Sequence, residues 1–484
     1  MSNERLPTYS FQIWQQIFSM KVYMSCNSGF RGTARIFDIM QSFFDIRTVS
    51  YNSIRGWILR LGYGLLNQPV ERRNDWIYIM DFSIQLGKER CLLILGVTRE
   101  SLMTDGYELT HKQIHVLDIY VKAGFTGEDA YERLTEVQQK TGTPYQTVSD
   151  GGSDILAGIK LFCEQHSSVI ATYEASHMIG VVLKHYLQDN TQWKELQEDL
   201  GTLNHGIKQT EMSFLRPVSI AKKARWLNVQ KQVDWLRNIS NYQDCDDYSL
   251  IQTGYKIENK TEIYETLSPF YENKRQQNKI KKEIDKLIFE EENTVYQWVH
   301  EKSNNEVVIE DSKVKIIDAG KQRFEEKFNI LEKHKSFLEE LEQIVNVAET
   351  IKRTVGKEGL SLDVLQKLEW LQTPQMCCGA RTVYFDIINR LLIEHSKCGA
   401  ETMPLLCSSD IIESIFGKFK MKAKQSVGGI YETVLNIAVF CGEITEEIIK
   451  KVMPSIKMED VQQWFFEMSG SSNLAKRRIA FKKI

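Results

Sequence analysis

The chain has 484 residues, of which 61 are lysine or arginine and 64 are aspartate or glutamate, so its formal net charge is −3. This length allows two to four domains of roughly 100–200 residues each, and a hydrophobic share of 42% excludes a largely disordered chain. Nine cysteines without CxxC spacing exclude a disulfide scaffold and a zinc knuckle, and we expect reduced thiols. We expect no signal peptide and no membrane partner, because no apolar run reaches the roughly 18 residues of a membrane span.

Residues 1–70 are predicted to form a helix-turn-helix-like DNA-binding domain. Two helices, over 11–20 and 32–44, precede a third that Ser50 can cap. Spacing of i, i+3, i+4 and i+7 gives the third helix one apolar face, made of Ile54, Trp57, Ile58 and Leu61. The other face carries side chains that could enter the major groove, namely Asn52, Arg55 and Arg60. The alternative is a small helical cap with a solvated face.

From residue 71 to 190 the pattern changes to that of an α/β domain. Two antiparallel strands are predicted within 76–98 around a turn at 87–89, and a third strand within 113–121. Helices then alternate with a fourth strand at 145–149 and a fifth at 168–172. Three antiparallel strands followed by alternating helix and strand is the order of an RNase H-like sheet. The predicted fold class is therefore an α/β RNase H-like catalytic core with a mixed five-stranded sheet.

Two aspartates stand out in these strands. Asp81 lies within the first strand, where a carboxylate is costly to bury unless a partner such as a metal ion compensates it. Asp150 ends the fourth strand, at the edge where open α/β sheets place their ligands, and Gly151 and Gly152 allow a sharp turn there. The alternatives are a solvent-facing edge residue for Asp81 and a helix N-cap for Asp150.

Residues 191–400 are predicted to form an all-helical insertion, which we expect to be a bundle rather than one long coiled coil. Within it, a basic cluster ends in an aromatic residue, so that Arg225 and Trp226 could contact a nucleic-acid backbone and stack on a base. The alternative is an exposed basic helix face beside a core tryptophan.

Residues 401–430 contain a closing helix of the core, and residues 431–484 a helical C-terminal region with a basic tail that either touches DNA or is solvated. In the closing helix, Glu413, Lys420 and Lys424 share one face with Gly417, as their spacing of i, i+7 and i+11 requires. A carboxylate flanked by lysines suits a metal ligand beside DNA phosphates. The alternative is a capping pair of Asp410 with Glu413.

Asp81, Asp150 and Glu413 together resemble the DDE triad of the transposases of bacterial insertion sequences. The resemblance covers most of the chain and includes the strand WIYIMDFSIQLG, the turn SDGGSD and the helix SSDIIESIFGKFK. Glu174-Ala175-Ser176-His177 also looks like an acidic-x-x-His element that some of these enzymes carry. A large helical insertion between the second aspartate and the glutamate is what the resemblance implies for residues 191–400.

The resemblance further implies two Mg²⁺ ions, with Mn²⁺ as a substitute, roughly 3.5–4 Å apart. Asp81 would bridge both ions, Asp150 would hold one and Glu413 the other, while His177 would orient a water or a phosphate or else be structural. Water would free a 3′-OH at the transposon end, and this 3′-OH would attack target DNA. The implied partners are double-stranded DNA and a second copy of the chain, in the bacterial cytoplasm and on the nucleoid. The alternatives are a non-catalytic DNA-binding or assembly protein on the same scaffold, and an RNase H-fold nuclease without strand transfer.

Overall fold

The computed structural model describes residues 4–7, 9–26, 28–86, 89–218, 226–245, 247–251, 254–304, 314–399, 403–423, 433–442, 444–469 and 473–482. The chain folds into two compact units. The first comprises Met1–Ile179, Thr350–Leu371 and Asp386–Ile484, and the second comprises Gly180–Glu349 and Gln372–Phe385. Residues 350–371 and 386–400, which the sequence assigned to the insertion, therefore belong to the first unit. None of the described helices is long and apolar enough to cross a membrane.

The first unit contains a mixed five-stranded sheet, as predicted. Its strands are β1 (Trp76–Leu86), β2 (Glu89–Thr98), β3 (His115–Ala123), β4 (Gln146–Ser149) and β5 (Ile170–Tyr173). They lie in the order β3-β2-β1-β4-β5, in which β3, β2 and β1 are antiparallel neighbours and β1, β4 and β5 are parallel neighbours. This order is the one expected of an RNase H-like core. The third, fourth and fifth strands begin one or two residues later than the sequence predicted.

The helices of the first part of the chain are α1 (Ile13–Ser25), α2 (Phe30–Gln41), α3 (Tyr51–Leu66), α4 (Arg99–Asp105), α5 (Gly127–Thr141), α6 (Ser153–Gln165) and α7 (Ala175–Leu187). Helix α5 begins with a capping box in which the Thr126 hydroxyl and the Asp129 carboxylate each accept a backbone N–H of the other residue. Arg133 of α5 makes a bidentate ion pair with the buried Asp118 of β3, with both N···O distances at 2.7 Å. These bonds attach α5 to the sheet.

The N-terminal helices are arranged differently from a compact helix-turn-helix. The predicted apolar face of α3 is buried, and Ser50 caps the helix by accepting the Ser53 N–H at 3.1 Å. The connection from α2 to α3 runs over residues 42–50, which is longer than the three or four residues of a helix-turn-helix. A Cβ on Gly62 would lie 2.3 Å from the carbonyl oxygen of Leu435, so α3 also packs closely on the C-terminal region. Apolar side chains between Leu6 and Leu65 thus share a core with apolar side chains between Val439 and Ile456.

The second unit is mainly helical but contains a small sheet, which corrects the all-α prediction for the insertion. Its strands β6 (Tyr255–Ile257) and β7 (Ile316–Asp318) are antiparallel and only three residues long, too short to show a strand period in the sequence. Its helices after α7 are α8 (Thr191–Ile207), α9 (Val229–Cys245), α10 (Lys260–Leu267), α11 (Lys274–Lys286), α12 (Glu292–Lys302) and α13 (Ala319–Phe328), together with the first parts of α14 (Lys335–Glu358) and α16 (Cys378–Ser396). The short helix α15 (Leu362–Lys367) belongs to the first unit.

The remaining helices complete the first unit: α17 (Asp410–Ala423), α18 (Asn436–Phe440), α19 (Glu446–Val452), α20 (Met458–Ser469) and α21 (Asn473–Lys482). One apolar face of α17 is buried against one side of the sheet, while α5 and α6 cover the other side. Lys422 of α17 is itself buried, and its ammonium donates to the carbonyl oxygens of Cys26 at 2.5 Å and Ser28 at 3.0 Å. This lysine joins α17 to the connection between α1 and α2.

Candidate active site

Three acidic residues occupy equivalent positions in the register of the three parallel strands. Met80 of β1 is paired with Ser149 of β4, and Ser149 is paired with Tyr173 of β5. The next residues along these strands are Asp81, Asp150 and Glu174. Because neighbouring strands lie about 4.8 Å apart, the register brings these three residues side by side at the carboxyl ends of β4 and β5.

The alternation of side chains along the strands decides which side of the sheet the acids occupy. Ile77 and Ile79 of β1 face the side covered by α17, as Val148 of β4 does. Successive side chains of a strand point to opposite faces, so Asp81 and Asp150 continue these sets and lie on the α17 side. Helix α17 buries an apolar stripe there and leaves Glu413 on its exposed face. The fold therefore brings the three predicted carboxylates to one side of one sheet.

Two of the acids at this site, Asp81 and Glu413, have raised pKa values. Burial is the largest cause that raises the pKa of Asp81 to about 7, and the negative charge of Asp150 is the next. The Phe82 N–H donates to the Asp81 carboxylate at 2.6 Å, and this hydrogen bond acts in the opposite direction. Partial burial and the charge of Glu174 raise the pKa of Glu413 from its ordinary value, although its side chain reaches solvent, and His177 and Lys352 oppose this. The charges of Asp150 and Glu174 thus help to raise the pKa values of Asp81 and Glu413.

Glu174 is the third acid of this row, whereas the sequence analysis placed it only in the acidic-x-x-His element. It is fully buried, one of its carboxylate oxygens pairs with Nδ1 of His177, and this bond raises the pKa of His177 to about 9. The other oxygen, Oε1, has no hydrogen-bond partner among the described residues. The acidic-x-x-His stretch was recognised, but the signal that Glu174 belongs to the row of acids was its place directly after a strand.

The turn after β4 fixes Asp150. Gly151 has φ of +80°, and a Cβ there would lie 2.2 Å from Cε2 of Tyr173, so the turn needs glycine for two reasons. The Asp150 carboxylate accepts the N–H of Gly152 at 2.9 Å. Gly152 is the N-cap residue of α6, so the interpretation of Asp150 as the N-cap of that helix is wrong.

The free edge of β5 is held by Glu394 of α16 and by Lys397, the residue directly after that helix. The Tyr173 N–H donates to Oε2 of Glu394 at 2.9 Å, and Nζ of Lys397 donates to the carbonyl oxygen of Ala171 at 2.9 Å. Glu394 and Lys397 are also paired with each other at 2.7 Å. They occupy backbone groups that would otherwise be open at an edge strand, and they fix Tyr173, whose ring borders the Asp150 turn.

The donor chemistry of the site suits Mg²⁺, which prefers carboxylates and retained waters. The unpaired, buried Oε1 of Glu174 is a polar atom of this kind. However, no group of three or more His, Cys, Asp or Glu side chains in the described part of the chain is arranged so that it could hold a metal ion. The site therefore offers suitable ligand atoms without a complete ligand shell in the present side-chain positions.

The predicted DNA-contacting residues of α3 fall into two groups. Asn52 is exposed and Arg55 half-buried at the N-terminal end of the helix, which is the end that a recognition helix presents to base edges. Arg60 lies further along, and its guanidinium donates to the Tyr9 hydroxyl at 2.8 Å and lies over the Tyr9 ring. Arg60 is therefore engaged within the protein.

The other predicted contacts are distributed as follows. Lys420 is exposed on the same helix as Glu413, and a Cβ on Gly417 would meet open space. Helix α17 begins at Asp410, whose N–H donates to the Ser408 hydroxyl at 3.3 Å. Trp226 packs on Trp193 with ring centroids 6.0 Å apart, in the core of the second unit. Arg225 and Lys424 lie outside the described residues.

Comparison with known proteins gives little guidance. No family model and no curated protein matches the chain. Among solved structures, the chain is similar to the Drosophila P element transposase strand transfer complex, with 12% sequence identity over 92% of this chain and 93% of that chain, and a TM-score of 0.32. A TM-score this low establishes neither a common fold nor a common function.

Proposed function

We propose that this chain is a DDE-type transposase, which cleaves DNA at the ends of a mobile element and joins the freed 3′-OH to target DNA. The observation that supports this best is the row of three acids at three adjacent parallel strands, with Asp81 on β1 and with Asp150 and Glu174 directly after β4 and β5. Glu413 lies on the helix that covers the same side of the sheet. Several carboxylates at one sheet edge are a costly arrangement unless cations compensate them.

Asp81, Asp150 and Glu413 are the residues that would hold the divalent ions, Mg²⁺ or Mn²⁺. When bound, such ions supply a nucleophile at neutral pH and stabilise the leaving oxygen of a phosphodiester. Glu174, buried and bonded to His177, fixes the imidazole beside the row of acids, where it orients a water or a phosphate. Lys420, on the exposed face of α17 that also carries Glu413, contacts a phosphate of the DNA backbone.

Double-stranded DNA is the proposed partner, held in part by the N-terminal end of α3 at Asn52 and Arg55. Joining two transposon ends to one target requires two active sites, so we propose a homodimer as the working form. These assignments include an insertion-sequence origin and a bacterial cytoplasmic location, as the resemblance of the sequence implies.

The test compares Asp81→Asn, Asp150→Asn and Glu413→Gln with the matched control Glu164→Gln, which removes an exposed carboxylate from α6. The probe is a duplex of the DNA that flanks the coding sequence, incubated with Mg²⁺ or Mn²⁺ and a supercoiled target plasmid. The three site variants should lose nicking and joining at least 100-fold and retain DNA binding, whereas the control should match the wild type.

Mn²⁺ binding, followed by electron paramagnetic resonance, gives a readout besides activity. Asp81→Asn should weaken Mn²⁺ binding at least 10-fold, and Glu164→Gln should not change it. Unchanged cleavage or unchanged Mn²⁺ affinity in Asp81→Asn would show that this carboxylate has no part in metal-dependent chemistry.

A non-catalytic DNA-binding or assembly protein on the same scaffold is the second candidate. One observation favours it: no three metal-binding side chains of the described residues form a ligand group. Binding of the flanking DNA without any metal-dependent nick would support this candidate. Nicking without joined products would instead indicate a nuclease that does not transfer strands.

A further inference from the structure

Helix α11 of the second unit has a strongly basic surface that the proposed site does not use. Six of its thirteen residues are lysine or arginine and two are acidic, in a chain whose net charge is −3. A simple explanation of so many charged residues on one helix is that they face solvent. Three features of its geometry argue for a binding surface.

The first feature is the placement of the charges. Ile280 and Ile284 are buried in the core around β6 and β7. At 3.6 residues per turn, the side of α11 opposite to them carries one row of four exposed basic residues, spaced i, i+4, i+7 and i+11: Arg275, Lys279, Lys282 and Lys286. We call these four residues the basic stripe. It runs about 16 Å along the helix at 1.5 Å per residue.

The second feature is the absence of compensation. The Glu283 carboxylate lies 3.5 Å from Nζ of Lys302 and 4.0 Å from Nζ of Lys279. Arg275, Lys282 and Lys286 have no ion-pair partner among the residues that the structure describes. Lys260 adds a further cation at the end of the helix, where its Nζ donates to the carbonyl oxygen of Asp285 at 3.3 Å.

The third feature is that the basic stripe does not serve the helix itself. Cations stabilise the C-terminal end of a helix, which explains Lys286, but they destabilise the first turn, where α11 has Lys274 and Arg275 and no acidic residue. Like charges four residues apart, as in Arg275 with Lys279 and Lys282 with Lys286, also repel each other. A polyanion would relieve both effects.

We infer that the basic stripe docks the sugar-phosphate backbone of duplex DNA, independently of base sequence. This inference rests on the proposed function for its choice of polyanion. Duplex DNA presents one negative charge per about 1.7 Å of axis, so the length of the stripe faces on the order of ten phosphate charges. Four exposed cations in a row match such a backbone, and flexible lysines suit contacts that carry no sequence information.

The experiment uses the full chain with all four stripe residues changed to glutamine, which keeps good helix formers in α11. The matched control changes four exposed lysines elsewhere on the same unit to glutamine, namely Lys208, Lys231, Lys327 and Lys335. Binding of a random-sequence 30-base-pair duplex is measured by fluorescence anisotropy in EDTA, from 50 to 200 mM salt. Circular dichroism checks that both variants are folded.

Each lost phosphate contact lowers the slope of log K against log salt by about 0.9, so the stripe variant should lose about 3–4 units of slope and the control less than 1. Equal losses in both variants would show that only net charge matters and would overturn the inference, as would an unchanged slope in the stripe variant. Retained DNA binding together with lost binding to phosphatidylserine vesicles would assign the stripe to a membrane surface instead.

This experiment separates the inference from the proposed function, because it contains no divalent metal and measures no cleavage. Asp81→Asn should bind the random duplex with the wild-type slope. If the stripe variant loses salt dependence but the wild type never cleaves DNA, the DNA-docking inference stands and the proposed transposase activity fails. If the wild type cleaves DNA but the stripe variant keeps the wild-type slope, the activity stands and the docking inference fails.

Discussion

The glycine after Asp150 provides the sharpest test of how the site is built. Gly151→Ala places a side chain where φ is +80° and where its Cβ would lie 2.2 Å from Cε2 of Tyr173. The left-handed backbone costs a non-glycine residue about 1–3 kcal/mol. Overpacking against the Tyr173 ring adds about 1–3 kcal/mol. Together we expect a loss of about 2–6 kcal/mol, a large part of the usual 5–15 kcal/mol of a folded domain.

The neighbouring glycine is the matched control. Gly152 has φ of −54°, which any residue adopts, and a Cβ there would come no closer than 3.3 Å to the Asp150 carboxylate. We expect Gly152→Ala to change stability by less than about 1 kcal/mol in either direction. Adding Tyr173→Ala to Gly151→Ala should recover the steric part of the loss and leave the backbone part.

The assay is urea unfolding of the full chain, with hydrogen exchange of the β4 and β5 amides as the local readout. The Glu174 N–H, which donates to the Ser149 carbonyl oxygen at 2.9 Å, reports directly on the strand pair beside the turn. Because a chain of two units need not unfold in one step, the exchange data decide between local and global loss. Equal tolerance of alanine at positions 151 and 152 would refute both the strain and the clash.

Three further changes have defined outcomes. Arg133→Met leaves the buried carboxylate of Asp118 without its partner and should destabilise the fold by about 3–5 kcal/mol in urea unfolding, whereas a far smaller loss would mean that water compensates the charge. Lys422→Met removes the donor to two carbonyl oxygens and should cost about 1–3 kcal/mol and speed proteolysis at Cys26 and Ser28, with unchanged proteolysis contradicting the contact. For Asp129, burial would raise the carboxyl pKa, but the hydrogen bonds from Lys122 and Thr126 outweigh it and hold the pKa below its ordinary value. The ionised Asp129 therefore stabilises the fold fully above the unfolded pKa near 3.9, and this stabilisation is lost as pH falls through the folded pKa. Asp129→Asn should lower the free energy of unfolding at pH 7 and flatten its decrease at acid pH. An unaltered pH–stability profile would contradict this.

The sequence determined the elements of the first unit because each is specified locally. Strand-length apolar runs predicted β1 to β5, and helical spacing predicted the buried faces of α3 and α17. Ser50 was recognisable as a cap because a serine hydroxyl before a helix accepts an N–H of the first turn. The mixed sheet followed from the order of these elements, which the chain itself fixes.

Only the tertiary structure decided which residues meet. The register of β1, β4 and β5 sets Glu174 beside Asp150 and Asp81, and register depends on pairing between segments far apart in the chain. The partner of Arg60 is Tyr9, and three residues of the basic stripe, Arg275, Lys282 and Lys286, have no ion pair within the described residues. Local spacing could reveal neither fact. Hydrophobic periodicity reports which face of an element is buried, but it carries no information on what that face, or the polar face opposite, will contact.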